Sequence, residues 1–302
     1  MLRSLRGPVL FACGLVAAVG CSAPTTGSGT SPTSAADSAV DTGSPTTSSV
    51  PGGGPGSLVP PSSIAGESSW CWFVAPDRHR LGLFAVGMDS GTIEPVGAWP
   101  SVNRTFHTAG LAYTGSSLVM VGYAGSALRW YELDLATGTL NQGPEVEPSV
   151  SVTSLDGALV VVGQSDLVRE PQVYDDFAAL SAGTPSGTLP GSFGFGSTRV
   201  QIAGDEWFTA WHSTNEVAVL DVATGQPVET VSLERYDTWV WGIGVVGDRI
   251  HLIDDGRGHH DDGDVWISRF ERSTGALVSE VSLGSVASTL WPSGLYCDGP
   301  DR

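Results

Sequence analysis

The sequence predicts an all-β domain, a five-bladed β-propeller closed by its own two ends. Three observations predict it: a composition poor in helix formers, a repeat of about 45 residues, and a cysteine at each end of the repeat region. Of 302 residues, 40 are Gly and 19 Pro, and only 15% are charged. Long amphipathic helices need Ala, Leu, Glu and Lys, yet Lys is absent and all 14 basic residues are Arg. Without Lys there is neither a Schiff-base lysine nor a phosphate-loop lysine. A formal charge of −18 argues against nucleic acid as a partner, because that binding rests on cations neutralising phosphates.

Four segments share an alternating apolar run, a small-residue hairpin and a further apolar residue. They run from Phe84 to Ile93 around Ser90-Gly91, from Tyr131 to Leu140 around Thr137-Gly138, from Val219 to Val228 around Thr224-Gly225, and from Ile267 to Leu277 around Thr274-Gly275. Gly supplies the positive φ of such turns, and alternate Val, Leu, Tyr and Trp suit half-buried strands. The 87 residues between Gly138 and Gly225 leave room for one degenerate copy around Tyr174 to Gly183. The hairpin glycines then stand 47, 45, 42 and 50 residues apart, the size of a four-stranded propeller blade. Six blades are the alternative if 143–205 hides another one.

The two ends decide whether the ring closes. After Gly275 there is room for one outer strand, Val278 to Leu283, and one inner strand, Ser293 to Cys297. Ahead of Gly91 lie Trp70 to Val74 and Leu81 to Val86, with no inner strand of their own. The C-terminal strand is therefore expected to complete the first blade, which leaves no open edge and sets Cys297 beside Cys71. In an oxidising compartment these two cysteines form a disulfide; two separately buried thiols are the alternative.

Residues 1–21 read as a lipoprotein signal peptide. Arg3 and Arg6 precede an apolar run from Val9 to Val19 that is too short to span a bilayer. The run ends Ala18-Val19-Gly20-Cys21, which resembles the bacterial lipobox and makes Cys21 the lipidated first residue; an ordinary signal with a chance cysteine is the alternative. Cleavage there removes two of the 14 Arg and no acid, so the charge moves from −18 to −20 and the lipid alone holds the chain to a membrane. Residues 22–65 are nearly all Ser, Thr, Pro, Gly and Ala with a little Asp, no aromatic residue and no repeating apolar face, a disordered tether with a reach of roughly 35–40 Å. The propeller occupies 66–302.

His107-Thr108-Ala109-Gly110-Leu111-Ala112-Tyr113, then Gly122 to Arg129, then Leu133 to Gly138, resemble a blade of the plant-type glutaminyl-peptide cyclotransferases. That family's blade reads Phe-Thr-Gln-Gly-Leu, Tyr-Gly-x-Ser-x-Leu-Arg and Leu-x-Thr-Gly. Gly204 to Trp211 followed by Asn215 to Asp221 and Thr224-Gly225 is similar to its Ala-Asn-Val-Trp blade, and Trp241-Gly242-Ile243 echoes a third. The resemblance covers about half of the domain, shares its Thr-Gly hairpins with quinoprotein-like propellers, and implies five blades. It also implies a proton shuttle of carboxyl and amide groups, which this sequence lacks. The family's acid in Gly-Glu-Gly-Ile-Thr falls on Val150, its Asn-Glu-Leu-Glu on Ser197-Thr198-Arg199-Val200, and its Gln and Asn on Ala109 and Thr209.

Loops joining the second strand of a blade to the third, and one blade to the next, share the face opposite the Thr-Gly hairpins. His79, Arg80, Arg104, His107, Trp211, His212, Trp239 and Trp241 fall there, and Arg with aromatics is the chemistry of a recognition face. The competing reading has Trp capping blade cores and Arg pairing with the abundant acids. A Gly-rich insertion between strands of the fifth blade carries Asp254, Asp255, His259, His260, Asp261, Asp262 and Asp264. It matches no calcium-loop or zinc-helix spacing, so a solvated acidic loop is expected first, Ca²⁺ second and a transition metal third. No cofactor is required.

The sequence thus points to a monomeric, lipid-anchored protein on the non-cytoplasmic side of a bacterial envelope, periplasmic or at the cell surface. Its propeller is expected to bind a protein, a peptide or an envelope glycan. The alternative is a divergent glutaminyl-peptide cyclotransferase.

Overall fold

Alternating apolar residues broken by Gly turns produce a run of short antiparallel strands in the computed structural model. It describes residues 58–77, 80–100, 110–124, 127–146, 150–163, 170–191, 198–211, 215–234, 239–254, 264–284 and 293–300. β1 (Trp70–Asp77), β2 (Arg80–Gly87) and β3 (Ile93–Pro100) pair in sequence order, and β4 (Leu111–Tyr113), β5 (Ser117–Ala124), β6 (Ala127–Asp134) and β7 (Thr139–Glu145) form the second blade. The third contains β8 (Val150–Leu155), β9 (Ala158–Gly163), β10 (Gln172–Tyr174) and β11 (Gly187–Thr188), with α1 (Phe177–Ala182) between its last two strands. The fourth contains β12 (Thr198–Ala203), β13 (Glu206–Trp211), β14 (Glu216–Asp221) and β15 (Pro227–Ser232). The fifth contains β16 (Val240–Val246), β17 (Arg249–Asp254), β18 (Trp266–Glu271) and β19 (Leu277–Ser282).

β20 (Ser293–Asp298) returns to pair with β1, so the first blade reads β20-β1-β2-β3 and the ring of five four-stranded sheets is closed. Cys71 and Cys297 are register partners and are disulfide-bonded across 226 residues of sequence. The closure expected from the chain ends therefore holds. The stretch 143–205 supplies one blade, which removes the six-bladed alternative.

Period-2 alternation sends successive side chains to opposite neighbours, and each blade interface becomes a core. On β1, Trp72 and Val74 join Leu83, Met120, Tyr131 and Leu133 against the second blade. Phe73 and Ala75 join Val86, Ile253, Ile267 and the disulfide against the fifth. Three further clusters fill the remaining interfaces, around Trp130 and Leu159, around Val200 and Trp207, and around Phe208 and Phe270. Burying each such side chain contributes about 1.5–3 kcal/mol. The inner strands of neighbouring blades approach closely enough that glycine is required. Gly110 (φ 136°) would place a Cβ 2.5 Å from the Val152 carbonyl oxygen.

Two elements depart from expectation. Where the third blade was to turn through a hairpin near Gly183, the chain forms α1 instead. Asp176 accepts from the Ala179 N–H at 2.7 Å as its N-cap, and Gly183 ends the helix in the left-handed region. Packing also begins upstream of Gly66, since Leu58 and Ile64 are buried in the core between the first two blades and the Leu58 N–H donates to Tyr113 Oη at 3.3 Å. Residues 58–65, read above as the end of the tether, thus belong to the packed body. The signal segment, Cys21 and the tether through residue 57 lie outside the described residues.

Candidate functional site

The innermost strand of each blade ends in a tight turn on the hairpin face, and these turns surround the propeller axis. Together they enclose a cavity of about 640 Å³, lined among others by Tyr113, Ser154, Asp156, Gln201, Ala203 and Tyr296. Asp156 and Gly157 both take positive φ, as the tight β8–β9 turn demands. The Tyr113 and Tyr296 rings pack at 5.2 Å, and the Tyr113 hydroxyl donates to the Gly115 carbonyl at 2.9 Å. Gln201 Nε2 donates to the Ile202 carbonyl at 3.2 Å, while the Ile202 N–H reaches Thr153 Oγ1 at 3.1 Å and stitches β12 to β8.

Along β12, Val200 and Ile202 face the third blade, so Arg199, Gln201 and Ala203 face the fifth. Arg199 is half-buried there, and its Nε donates to the Trp241 carbonyl on β16 at 3.1 Å. Burial pulls its pKa down to about 10, which leaves it a cation at neutral pH.

A second cleft, of about 420 Å³, lies on the seam between the first and fifth blades beside Ser68, Ser69, Asp248, Arg269 and Glu271. Arg269 donates to Asp89 Oδ1 at 2.7 Å, to Ser68 Oγ at 3.2 Å and to Ser69 Oγ at 3.4 Å. Burial pushes the Asp89 pKa up, but the bonds from Ser68 and Arg269 outweigh it and hold the carboxyl below its usual range. Ser69 Oγ and His251 Nε2 lie 3.2 Å apart, which is the spacing of a nucleophile and its base. His251 is fully buried, however, and burial, aided by the nearby Arg269 charge, drives its pKa down to about 3. Among the described residues no carboxylate meets its Nδ1, so none orients the ring or strengthens it as a base. The network ties β1 to β17 and β18 across the closure. His251 also lies within 4.8 Å of both cysteine sulfurs, but these are bonded to each other and offer no thiolate to a metal.

Of the residues singled out by sequence, His79, Arg104, His107, His212, Asp255, His259, His260, Asp261 and Asp262 lie outside the described residues. Arg80 begins β2 and Trp211 ends β13, both toward the loop face; their side chains are also outside that set. Trp239 is 47% exposed, whereas Trp241 packs against the core between the fifth and first blades and so serves at least partly as filling. Asp254 is buried at the end of β17, accepting from Ser268 Oγ at 3.1 Å, and Asp264 accepts from Ser282 Oγ at 3.3 Å. Sequence reasoning missed the axial cavity, which opens on the face opposite the one it favoured. The available signal was the position of the polar Gln201 on the innermost strand of its blade.

No family model matches the sequence, and no curated protein matches it. Among solved structures, the chain is similar to TolB from Acinetobacter baumannii, with 12% identity over 78% of this chain and 68% of that one and a TM-score of 0.41. It is similar to a chain of a nidogen/laminin complex, with 8% identity over 76% and 98% and a TM-score of 0.47. It is also similar to the hydrazine synthase of Kuenenia stuttgartiensis, with 14% identity over 61% and 51% and a TM-score of 0.37. At these scores the likenesses carry no argument about activity, and the resemblance to glutaminyl-peptide cyclotransferases rests on the residues quoted for it alone.

Proposed function

We propose that this chain is a lipid-anchored envelope protein whose propeller binds a protein, peptide or envelope ligand without transforming it. The observation that carries this reading is the make-up of the axial cavity. Among its described lining residues are hydroxyls, one amide and one carboxylate, Asp156, with no base set against a nucleophile. The positions where the cyclotransferases carry polar groups support it too. Val150 is packed in the core between the second and third blades, and the Thr209 hydroxyl donates to the Ala218 carbonyl at 3.4 Å. The Cys71–Cys297 disulfide supports a non-cytoplasmic location.

Two experiments test the reading. Metabolic labelling with a fatty-acid probe should mark the wild-type chain and not Cys21→Ala, which should leave the membrane fraction; equal labelling overturns the anchor. Incubation of the purified protein with a Gln-initiated peptide should release no ammonia. Steady release that a Val150→Arg substitution abolishes would establish the cyclotransferase alternative instead.

A further inference from the structure

We propose that the axial cavity is a binding site for an organic cation, in which Asp156 pairs with an ammonium group and Tyr113 and Tyr296 supply an aromatic wall. Four successive inner strands bring one group each: Tyr296 on β20, Tyr113 on β4, Asp156 in the turn after β8 and Gln201 on β12. Asp156 is the only charged side chain among the described residues of the lining, and none of the arginines with described side chains joins it there. Asp205 and Asp248 stand exposed in the matching turns after β12 and β16, and Arg249 beside Asp248 pairs with Glu271. With 32 acids against 14 Arg in the whole chain, the potential at this mouth is negative, which concentrates cations and repels anions. The carboxylates of Asp134 and Asp221 in the outer hairpins accept from N–H groups of their own turns. The Asp156 carboxylate meets no donor and no cation among the described residues, so it is left for a ligand.

The walls narrow the ligand. A calcium ion needs about six to eight oxygen ligands, and one carboxylate with an amide and a few hydroxyls falls short of that set. An ammonium group instead gains from a single carboxylate and from aromatic rings within about 6 Å. Tyr113 and Tyr296 pack at 5.2 Å, and Tyr296 also packs on Trp72 at 5.9 Å, so the wall is held in place before a ligand arrives. Gln201 is 5% exposed, and its Nε2 bond to the Ile202 carbonyl leaves the amide oxygen to accept from a ligand N–H. Asp156 is exposed where Gln201 and Tyr296 are buried, so a cation arriving from the hairpin face meets the carboxylate first. A volume of about 640 Å³ admits a short peptide segment or a compact amine. The proposal rests on the binding reading above and extends it to a ligand class.

The test is calorimetric titration of the full chain in detergent at neutral pH and low salt. Tetra-alanine amide presents an amino-terminal ammonium, Nα-acetyl-lysine methylamide a side-chain ammonium, N-acetyl-tetra-alanine amide no charge, and calcium chloride a metal ion. Saturable heat is expected with an ammonium probe, with affinity about tenfold or more weaker for the neutral peptide. Tighter binding of tetra-alanine amide assigns a peptide amino terminus as the source, tighter binding of the lysine derivative a side chain, and equal binding an ammonium group whatever carries it. Asp156 has a φ of 50°, a left-handed conformation that Asn also tolerates, so Asp156→Asn keeps the turn while removing the charge. It should weaken ammonium binding by about tenfold. Tyr113→Leu should weaken it several-fold, and Tyr113→Phe, which keeps the ring, should bind as the wild type does. No response to either ammonium probe, equal affinity for charged and neutral peptides, calcium binding tighter than either ammonium, or unchanged affinity in Asp156→Asn or Tyr113→Leu would each overturn the proposal. Those outcomes leave the binding reading intact, because a partner held on the loop face does not involve Asp156. Ammonia release from a Gln-initiated peptide ends that reading whatever Asp156 does.

Discussion

Arg272 shows how a single cation is used when its partners are supplied. Its Nε bonds Glu229 at 2.5 Å, its two terminal nitrogens bond Glu206 at 2.6 and 2.8 Å, and its guanidinium lies 5.2 Å from the Phe208 ring centre. These contacts fasten the outer hairpin of the fifth blade to the fourth. Arg272→Ala should destabilise the protein by about 1–2 kcal/mol, since the pairs are partly exposed but bidentate; urea denaturation measures it. His251 sets a pH dependence. Its folded pKa of about 3 lies below the ordinary 6.5, so between these values the unfolded chain binds the extra proton. Stability from this group is complete above about pH 6.5 and falls as the pH drops toward 3, with a slope of up to about 1.4 kcal/mol per pH unit. His251→Gln should flatten the melting temperature across that window; an unchanged profile would contradict the assignment. Neither role was legible beforehand, because alternation gives the side of a strand a residue occupies and not the partner it meets there.

Among the elements, strands were far more legible than exceptions to them. Four of five outer hairpins announce themselves by Ser-Gly or Thr-Gly. The fifth was found only by counting, and it holds α1. Phe177-Ala178-Ala179-Leu180 between Asp176 and Gly183 carries a cap, helix formers and a stop, but a six-residue helix is too short to show periodicity. The segment 58–65 was hidden differently. Its composition is that of the tether, and two apolar residues, Leu58 and Ile64, bring it onto the first two blades. Ile64→Ala should cost about 2–4 kcal/mol in urea denaturation, as a fully buried side chain does; a neutral result would return the segment to the tether.

At the scale of the whole molecule, the ring depends on its seam. β20 supplies the inner strand that the N-terminal strands lack, and the Cys71–Cys297 bond locks the pairing over nearly the whole propeller. Replacing both cysteines by Ala should lower stability by about 4–5 kcal/mol through loop entropy, while far-UV circular dichroism stays that of the intact sheet because the β20–β1 pairing remains. The sequence by itself determined the strands, the number of blades, the closing partner and the disulfide. Each follows from local alternation, a repeat period and the residues left over at the ends. The tertiary structure alone decided where the cavities lie, that His251 is buried against the seam, and that Arg199 meets the Trp241 carbonyl of the fifth blade. Those outcomes depend on side chains from different blades meeting across a closed ring, and no pattern within one strand records which neighbours will be there.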